Sequence, residues 1–372
     1  MSNESTPNIN NIGIVTATYG SKGGGGDIHF RNLIPYWESL GAKVTNLQPI
    51  IINKFTFFTV LKSTIKVAFM RTANFFDINK YDIIASVSPY PMDLILALKL
   101  ARKYKKPLTI YIHHIPPGIL IHPFKRGFIR VLLNTLYIST VISLLDHLEI
   151  PIFLDNPNTL NKPRLKVYPN LIAIQKNNVD KIQESEIKYD ICYIGRIENH
   201  KGVEDIINVV KILKQTYSMA PKVILAGKGK DRYVAGITKI ITEMGLYDNI
   251  ILKGYVSEDE KYHLLLNSKV FLFLSYEEGW SISVMEAASI GTPIVAYSLP
   301  AYYYLKGNYY SVPVGDIMAC AEKLKQVFSN YAQAKDMGFR AKKCVETFSY
   351  EFIAKQQLIF FKRIIKDFLM TK

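Results

Sequence analysis

Along the 372-residue chain, short runs of β-branched and aliphatic residues alternate with longer runs whose apolar positions recur every three or four residues. "NIGIVTA" (11–17) reads as a strand. After a glycine-rich turn, Phe30, Leu33, Trp37 and Leu40 mark one face of a helix that Gly41 ends. "AKVTNL" resumes as a strand, "YDIIASVS" (81–88) is another, residues 92–104 form a helix and "PLTIYIHH" (107–114) a strand. Beyond "VYPNLI" (167–172) the rhythm restarts. "YDICYI" (189–194) is a strand followed by a helix over about 203–217; "KVILAG", "NIILKG", "KVFLFLS" and "TPIVAY" are further strands. This β-α-β-α succession predicts parallel sheets with helices on both faces.

A single core stops growing at roughly 250–300 residues, so two doubly wound, Rossmann-like α/β domains are expected. The boundaries read as 1–169 and 170–347, with 348–372 a long, basic, amphipathic helix returning to the first domain. Ligands of such sheets bind outside the carboxyl ends of the strands. Every polar, glycine-rich turn in this reading follows a strand, so the turns are expected on opposite walls of one central cleft.

Four turns carry candidate chemistry. "TATYGSKGGGGDIHF" (16–30) sets glycine amides beside a helix start, where phosphate is favoured. It is neither a P-loop nor a dinucleotide fingerprint, because no GK[ST] follows and His29 or Ile28 stands where the third glycine belongs. "YIGRIENHKGVEDII" (193–207) places Arg196 and Lys201 in one turn. Two cations there suit a diphosphate, and they equally suit a solvated surface. "YIHHIPPG" (111–118) ends a strand in two histidines, of which alternation allows at most one to face the cleft. In "SYEEGWSISVMEAASIGTPIVAY" (275–297), Ser283 and Glu286 fit an S-x-x-E capping box, with Gly291 as the helix stop. That reading leaves Glu278 unexplained.

Together these stretches resemble the retaining nucleotide-sugar glycosyltransferases of family 4, of GT-B fold, over nearly the whole chain. "GRIENHKG" resembles the family's G-R-x4-K-G motif, and Glu278 with Glu286 its E-x7-E signature before "GTPIVA". "YPNLI" resembles the P-N element between its domains. The resemblance implies roles. Arg196 and Lys201 neutralise the donor diphosphate, which is the leaving group. Glu286, with Ser283 beside it, binds the ribose, and Glu278 lies by the transferred sugar. Gly24 and Gly25 approach the diphosphate, and Gly254, Tyr255 and Val256 line the base pocket. His114, within an H-x-P, contacts sugar or diphosphate in preference to His113. Trp280 stands where the family carries a smaller or phenyl side chain, which bears on the identity of the sugar. No Asp-x-Asp is present, so no metal and no cofactor are implied; the donor is a nucleoside-diphosphate sugar and the acceptor a lipid-linked or glycan hydroxyl.

Composition adds a location. The formal net charge is +15, a field that draws phosphates. "IINKFTFFTVLKSTIKVAFMRTANFF" (51–76) interleaves Lys54, Lys62, Lys66 and Arg71 with aromatic and aliphatic residues, and "HPFKRGFIRVLL" (122–133) repeats the theme. Both suit an anionic membrane surface touched by the first domain. The apolar stretch 131–145 is broken by polar residues and too short to span a bilayer. The three cysteines, Cys192, Cys320 and Cys344, form no metal or disulfide pattern, and no signal sequence is visible. A cytoplasmic protein, peripheral on the membrane, is expected. Two alternatives share some features: a GT-B sugar-nucleotide epimerase, which needs no acceptor, and a basic nucleic-acid-binding protein, which leaves the two glutamates unexplained. Nucleic acid is therefore not an expected partner.

Overall fold

The computed structural model describes residues 9–17, 25–52, 57–70, 77–113, 115, 128–160, 162–174 and 186–371. Two compact units form. One takes the chain up to Ile115, then Asn134–Ala173, then the segment from Phe348 onward; the other is centred on Ile174–Thr347.

The first unit holds a six-stranded sheet of order β2-β1-β3-β4-β5-β6. Its strands are β1 (Asn11–Val15), β2 (Lys43–Asn46), β3 (Ile83–Ser86), β4 (Leu108–Ile112), β5 (Ile152–Leu154) and β6 (Val167–Pro169), and every pairing is parallel. Helices α1 (Gly25–Ser39), α2 (Phe57–Phe69), α3 (Pro91–Tyr104) and α4 (Phe128–His147) alternate with the strands. The stretch 131–145 thus lies within a helix of the Rossmann-like layer. The crossover to the second unit falls at Ala173–Ile174, beyond the Pro169–Asn170 expected from sequence. The reason is local. Asn170 is fully buried in the first unit, where its amide donates to Asp155 at 2.6 Å and its backbone N–H to the Leu154 carbonyl.

The second unit repeats the plan with order β12-β11-β10-β7-β8-β9. The strands are β7 (Tyr189–Ile194), β8 (Val223–Ala226), β9 (Ile250–Gly254), β10 (Ser268–Phe273), β11 (Ile294–Tyr297) and β12 (Tyr310–Val312), again all parallel. Helices α5 (Val203–Tyr217), α6 (Asp231–Glu243), α7 (Glu258–Leu266), α8 (Ile282–Ile290), α9 (Ile317–Ser329) and α10 (Tyr331–Val345) cover it. On α5 the spacing of Val203, Ile206, Ile207, Val210 and Leu213 puts five fully buried side chains on one stripe.

Helix α11 (Tyr350–Met370) belongs to the first unit and packs against α1. Ile353, Ala354, Phe361, Ile364 and Ile365 are buried in the same cluster as Leu33 and Trp37 of α1. Buried polar groups tie the helix down as well: the Tyr111 hydroxyl donates to Gln357 at 3.2 Å, and Tyr350 stacks on His29 and Tyr36. Burial, with a smaller contribution from His113, drives the His29 pKa down to about 3, so this imidazole is neutral.

Candidate active site

In the second unit the strand order reverses between β7 and β10, which lie side by side although β8 and β9 come between them in sequence. Such a reversal opens a crevice at the carboxyl ends of the two strands. The turns that follow β7 and β10 carry Arg196, Lys201 and Glu278.

The turn after β7 is packed tightly. A Cβ on Gly227 would sit 1.7 Å from the Gly195 carbonyl oxygen, so only glycine allows the turns after β7 and β8 to stack. The Gly227 N–H donates to the Gly254 carbonyl at 2.7 Å, which brings in the turn after β9. Tyr193 donates its hydroxyl to the Arg196 carbonyl at 2.7 Å and fixes that corner. The Arg196 guanidinium itself is largely exposed and pairs with Glu198 at 2.8 Å, an attachment weak enough to exchange for another anion. Across these turns the Lys228 ammonium lies 4.4 Å from the centre of the Tyr255 ring; Tyr255 is exposed and Val256 buried.

Lys201 ends a short 3-10 turn, and Gly202 then opens α5 at φ 70°. A Cβ on Gly202 would meet the Leu274 carbonyl oxygen at 1.9 Å, so this glycine lets the lysine turn press onto the start of the loop after β10. Tyr276 donates its N–H to the His200 carbonyl at 2.9 Å. The hydroxyls of Tyr276 and Tyr297 both donate to one oxygen of buried Asp205, at 2.5 and 2.6 Å. Loop, helix and strand are clamped together, and Lys201 meets Glu278 at 2.6 Å with both side chains mostly buried. Two residues chosen from separate motifs are thus an ion pair. Close by in the chain, the buried atoms Asn199 Oδ1 and Ser281 Oγ take no hydrogen bond among the described residues.

Helix α8 corrects the capping reading. Its N-cap is Ser281, in the left-handed region at φ 66° and without a side-chain cap bond. Ser283 therefore sits inside the helix, and no Ser283–Glu286 box forms. The loop imposes this entry, because Tyr304 donates to the carbonyls of Trp280 and Ser281. Glu286 turns instead to Lys261 of α7, at 2.6 Å. The capping box of the region is Ser257 with Glu260, which start α7. Trp280 lies in the core: its ring stacks on Tyr304 at 4.7 Å, edges Tyr303, and gives its N–H to the Met285 sulfur. Its bulk anchors the loop from inside.

Of the first-unit candidates, Gly24 and His114 lie outside the described residues, and Gly25 is the first residue of α1. His113 is described and half-buried. Its Nε2 donates to the Val87 carbonyl at 3.0 Å and its Nδ1 accepts from Asn170 at 3.3 Å, so it braces the segment that leaves the sheet. Lys261, Asp205, Tyr276 and Tyr297 were not singled out from sequence; an S-x-x-E at 257–260 was the one readable sign of α7.

Residues 174–344 match the family model described as Glycosyl transferases group 1, nearly the whole second unit. Among curated proteins, the chain is 26% identical over 274 residues to the Streptococcus pneumoniae alpha-galactosylglucosyldiacylglycerol synthase, spanning 68% of this chain and 70% of that one. Among solved structures, sucrose-phosphate synthase from Thermosynechococcus elongatus superposes with a TM-score of 0.74 at 15% identity, covering 96% of this chain and 99% of that one. HepE from Anabaena, solved with UDP and glucose, gives a TM-score of 0.64 at 15% identity, covering 95% and 99%. The fold is GT-B: two parallel Rossmann-like sheets with their helices. The second unit matches that family model along nearly its whole length, and the protein is a glycosyltransferase. These matches favour neither an epimerase nor a nucleic-acid-binding protein.

Proposed function

We propose that the protein moves a hexose-type sugar from a nucleoside-diphosphate donor to a hydroxyl of a lipid-linked or glycan acceptor, with retention at the anomeric carbon, as in family 4. The observation that carries this reading is the Lys201–Glu278 pair at the point where the sheet order reverses. An ammonium with three donors can hold Glu278 with one and a phosphate oxygen with another. Arg196 leaves its exposed partner for the diphosphate, and Glu278, held in place by Lys201, accepts from the sugar hydroxyls. Glu286 and Ser283 serve the ribose, Gly254, Tyr255 and Val256 the base, and Gly24, Gly25 and His114 the diphosphate and sugar from the first unit.

As the bond to the diphosphate breaks, negative charge grows on the leaving oxygen and positive charge on the anomeric carbon. Fixed cations there favour the transition state over the ground state. The departing phosphate oxygen takes the proton of the acceptor hydroxyl, so the new bond forms on the face that the diphosphate leaves. No metal and no cofactor take part in this scheme. Two features of the relatives support it: the pneumococcal protein is named for a glycolipid product, and HepE was solved with UDP and glucose. In a thermal-shift series against UDP, GDP and ADP, one diphosphate is expected to raise the melting temperature, by about 2.7 kcal/mol of stability at a hundredfold excess over Kd. A flat response to all three sinks the donor reading.

We also propose attachment to an anionic membrane, on the cytoplasmic face, through α2 of the first unit. Its outer face exposes Phe58, Leu61, Ile65 and Phe69 beside Lys62 and Lys66. That combination suits a helix lying in the lipid interface. Among the described residues, no helix is long and apolar enough to cross a membrane. The protein is expected to float with anionic vesicles and to be released by salt, whereas Phe58→Ser with Phe69→Ser stays at the bottom of the gradient. Equal flotation of both proteins removes α2 from the account.

A further inference from the structure

Glu286 is held in a way that no motif announced. Lys261 projects from α7 and is buried, and its ammonium is bonded to Glu286 at 2.6 Å and to Glu258 at 2.7 Å. The Glu258 carboxylate is exposed, whereas the Lys261 ammonium and the Glu286 carboxylate share the interior between α7 and α8. A line of three charges therefore runs from solvent to the proposed ribose site. Only one oxygen of Glu286, Oε1, is taken by Lys261; Oε2 has no hydrogen-bond partner among the described residues. A carboxylate so fixed offers one directed acceptor and no donor.

We propose that Lys261 is the positioning residue of the donor ribose: it immobilises Glu286 through Oε1 and keeps Oε2 as an acceptor for a ribose hydroxyl. The inference rests on the donor reading of this site and adds to it the device that keeps a buried acid useful. Burial pushes the Glu286 carboxyl above its usual range, and the Lys261 charge opposes that shift while Glu258 adds to it. Burial also works against the charge of Lys261, but two carboxylates outweigh it, and its ammonium is held above the ordinary lysine value. Glu258 and Lys261, both from α7, are the charged groups whose fields reach Glu286. Without the ammonium, Glu286 takes up a proton at higher pH. A protonated carboxyl is a much weaker acceptor, and the preference for ribose over deoxyribose falls with it.

The test compares UDP with 2′-deoxy-UDP, and GDP with 2′-deoxy-GDP, by calorimetric titration across pH. Wild type is expected to prefer the ribose form by about tenfold, the scale of one polar contact to a charged group, and to lose that preference on the acid side. Lys261→Met loses it at neutral pH and regains it at alkaline pH, because its acid limb moves up. Lys261→Arg keeps it. Glu258→Gln, a change at an exposed carboxylate that leaves the fold alone, moves the limb the other way, to lower pH, because Lys261 then serves Glu286 alone. A merely structural lysine would alter both nucleotides equally and shift neither limb. Lys261→Met or Glu258→Gln with the wild-type preference and the wild-type pH profile overturns the proposal. Wild type that binds the diphosphates without ribose preference overturns it too, and wild type that binds none of the four overturns the donor reading itself.

Discussion

Lys201→Met is expected to lower sugar transfer on the order of 10²–10³-fold, the usual loss when one fixed donor to developing negative charge is removed. It is also expected to destabilise the unit that carries it. Lys201 and Glu278 lie 2.6 Å apart with about a tenth of each side chain exposed, and removing one partner strands the other charge in the interior, at roughly 3 kcal/mol or more. For a unit of this size that is a fall of roughly 6–12 °C in melting temperature. The two effects separate in the double variant Lys201→Met, Glu278→Gln. With both charges gone, most of the melting temperature returns and the activity does not. Arg196→Ala gives the converse control, because its guanidinium is largely exposed: activity falls and the melting temperature holds. Recovery of transfer in the double variant would show that Lys201 acts only by keeping Glu278 company.

Gly202→Ala is expected to reduce kcat/KM by about a hundredfold, although the glycine carries no functional group. Its φ of 70° strains any L-residue, and its Cβ would meet the Leu274 carbonyl oxygen at 1.9 Å. Lys201 and the loop bearing Glu278 must then move apart, and a misplacement of about 1 Å at a reacting site is worth that factor. Gly41→Ala is the matched control. Gly41 has φ +93° as well, yet a Cβ there meets nothing within 4 Å, so only about 1 kcal/mol of backbone strain remains and steady-state kinetics stay as in wild type. Equal kinetics for both variants would show that the apposition of turn and loop is not needed for transfer.

The fold was legible in the chain because long alternating segments carry their own period. The spacing on 203–217 matches α5 to the residue. Strands β5, β6 and β12 were not legible, since three residues define no alternation. At the site, Arg196, Lys201, Glu278 and Glu286 could be picked from local motifs, but their partners could not. The pairing of Lys201 with Glu278 is made by the sheet reversal, which joins residues 77 positions apart. The S-x-x-E at 283–286 misled because the loop, pinned by Tyr304, forces Ser281 into the left-handed region and starts the helix there. Lys261 sits in "EDEKYHLLL", a segment that carries no site motif; its burial exists only once α7 lies on α8. Trp280 departs from the smaller or phenyl side chain of the family, and only the fold shows the tyrosines that enclose its ring.

The first unit is sewn from segments on either side of the second, and α11 supplies Phe361, Ile364 and Ile365 to a core otherwise made of residues from the first half of the chain. On the ribosome, the second unit has all of its strands before α11 is synthesised. The first unit must therefore wait, with the face of Trp37 and Phe153 uncovered, until a helix arrives that is encoded after everything else it needs. A polypeptide that stops short of α11 would carry a finished second unit and an unclosed first one. The order of translation thus ties the closing of the first core to the synthesis of α11.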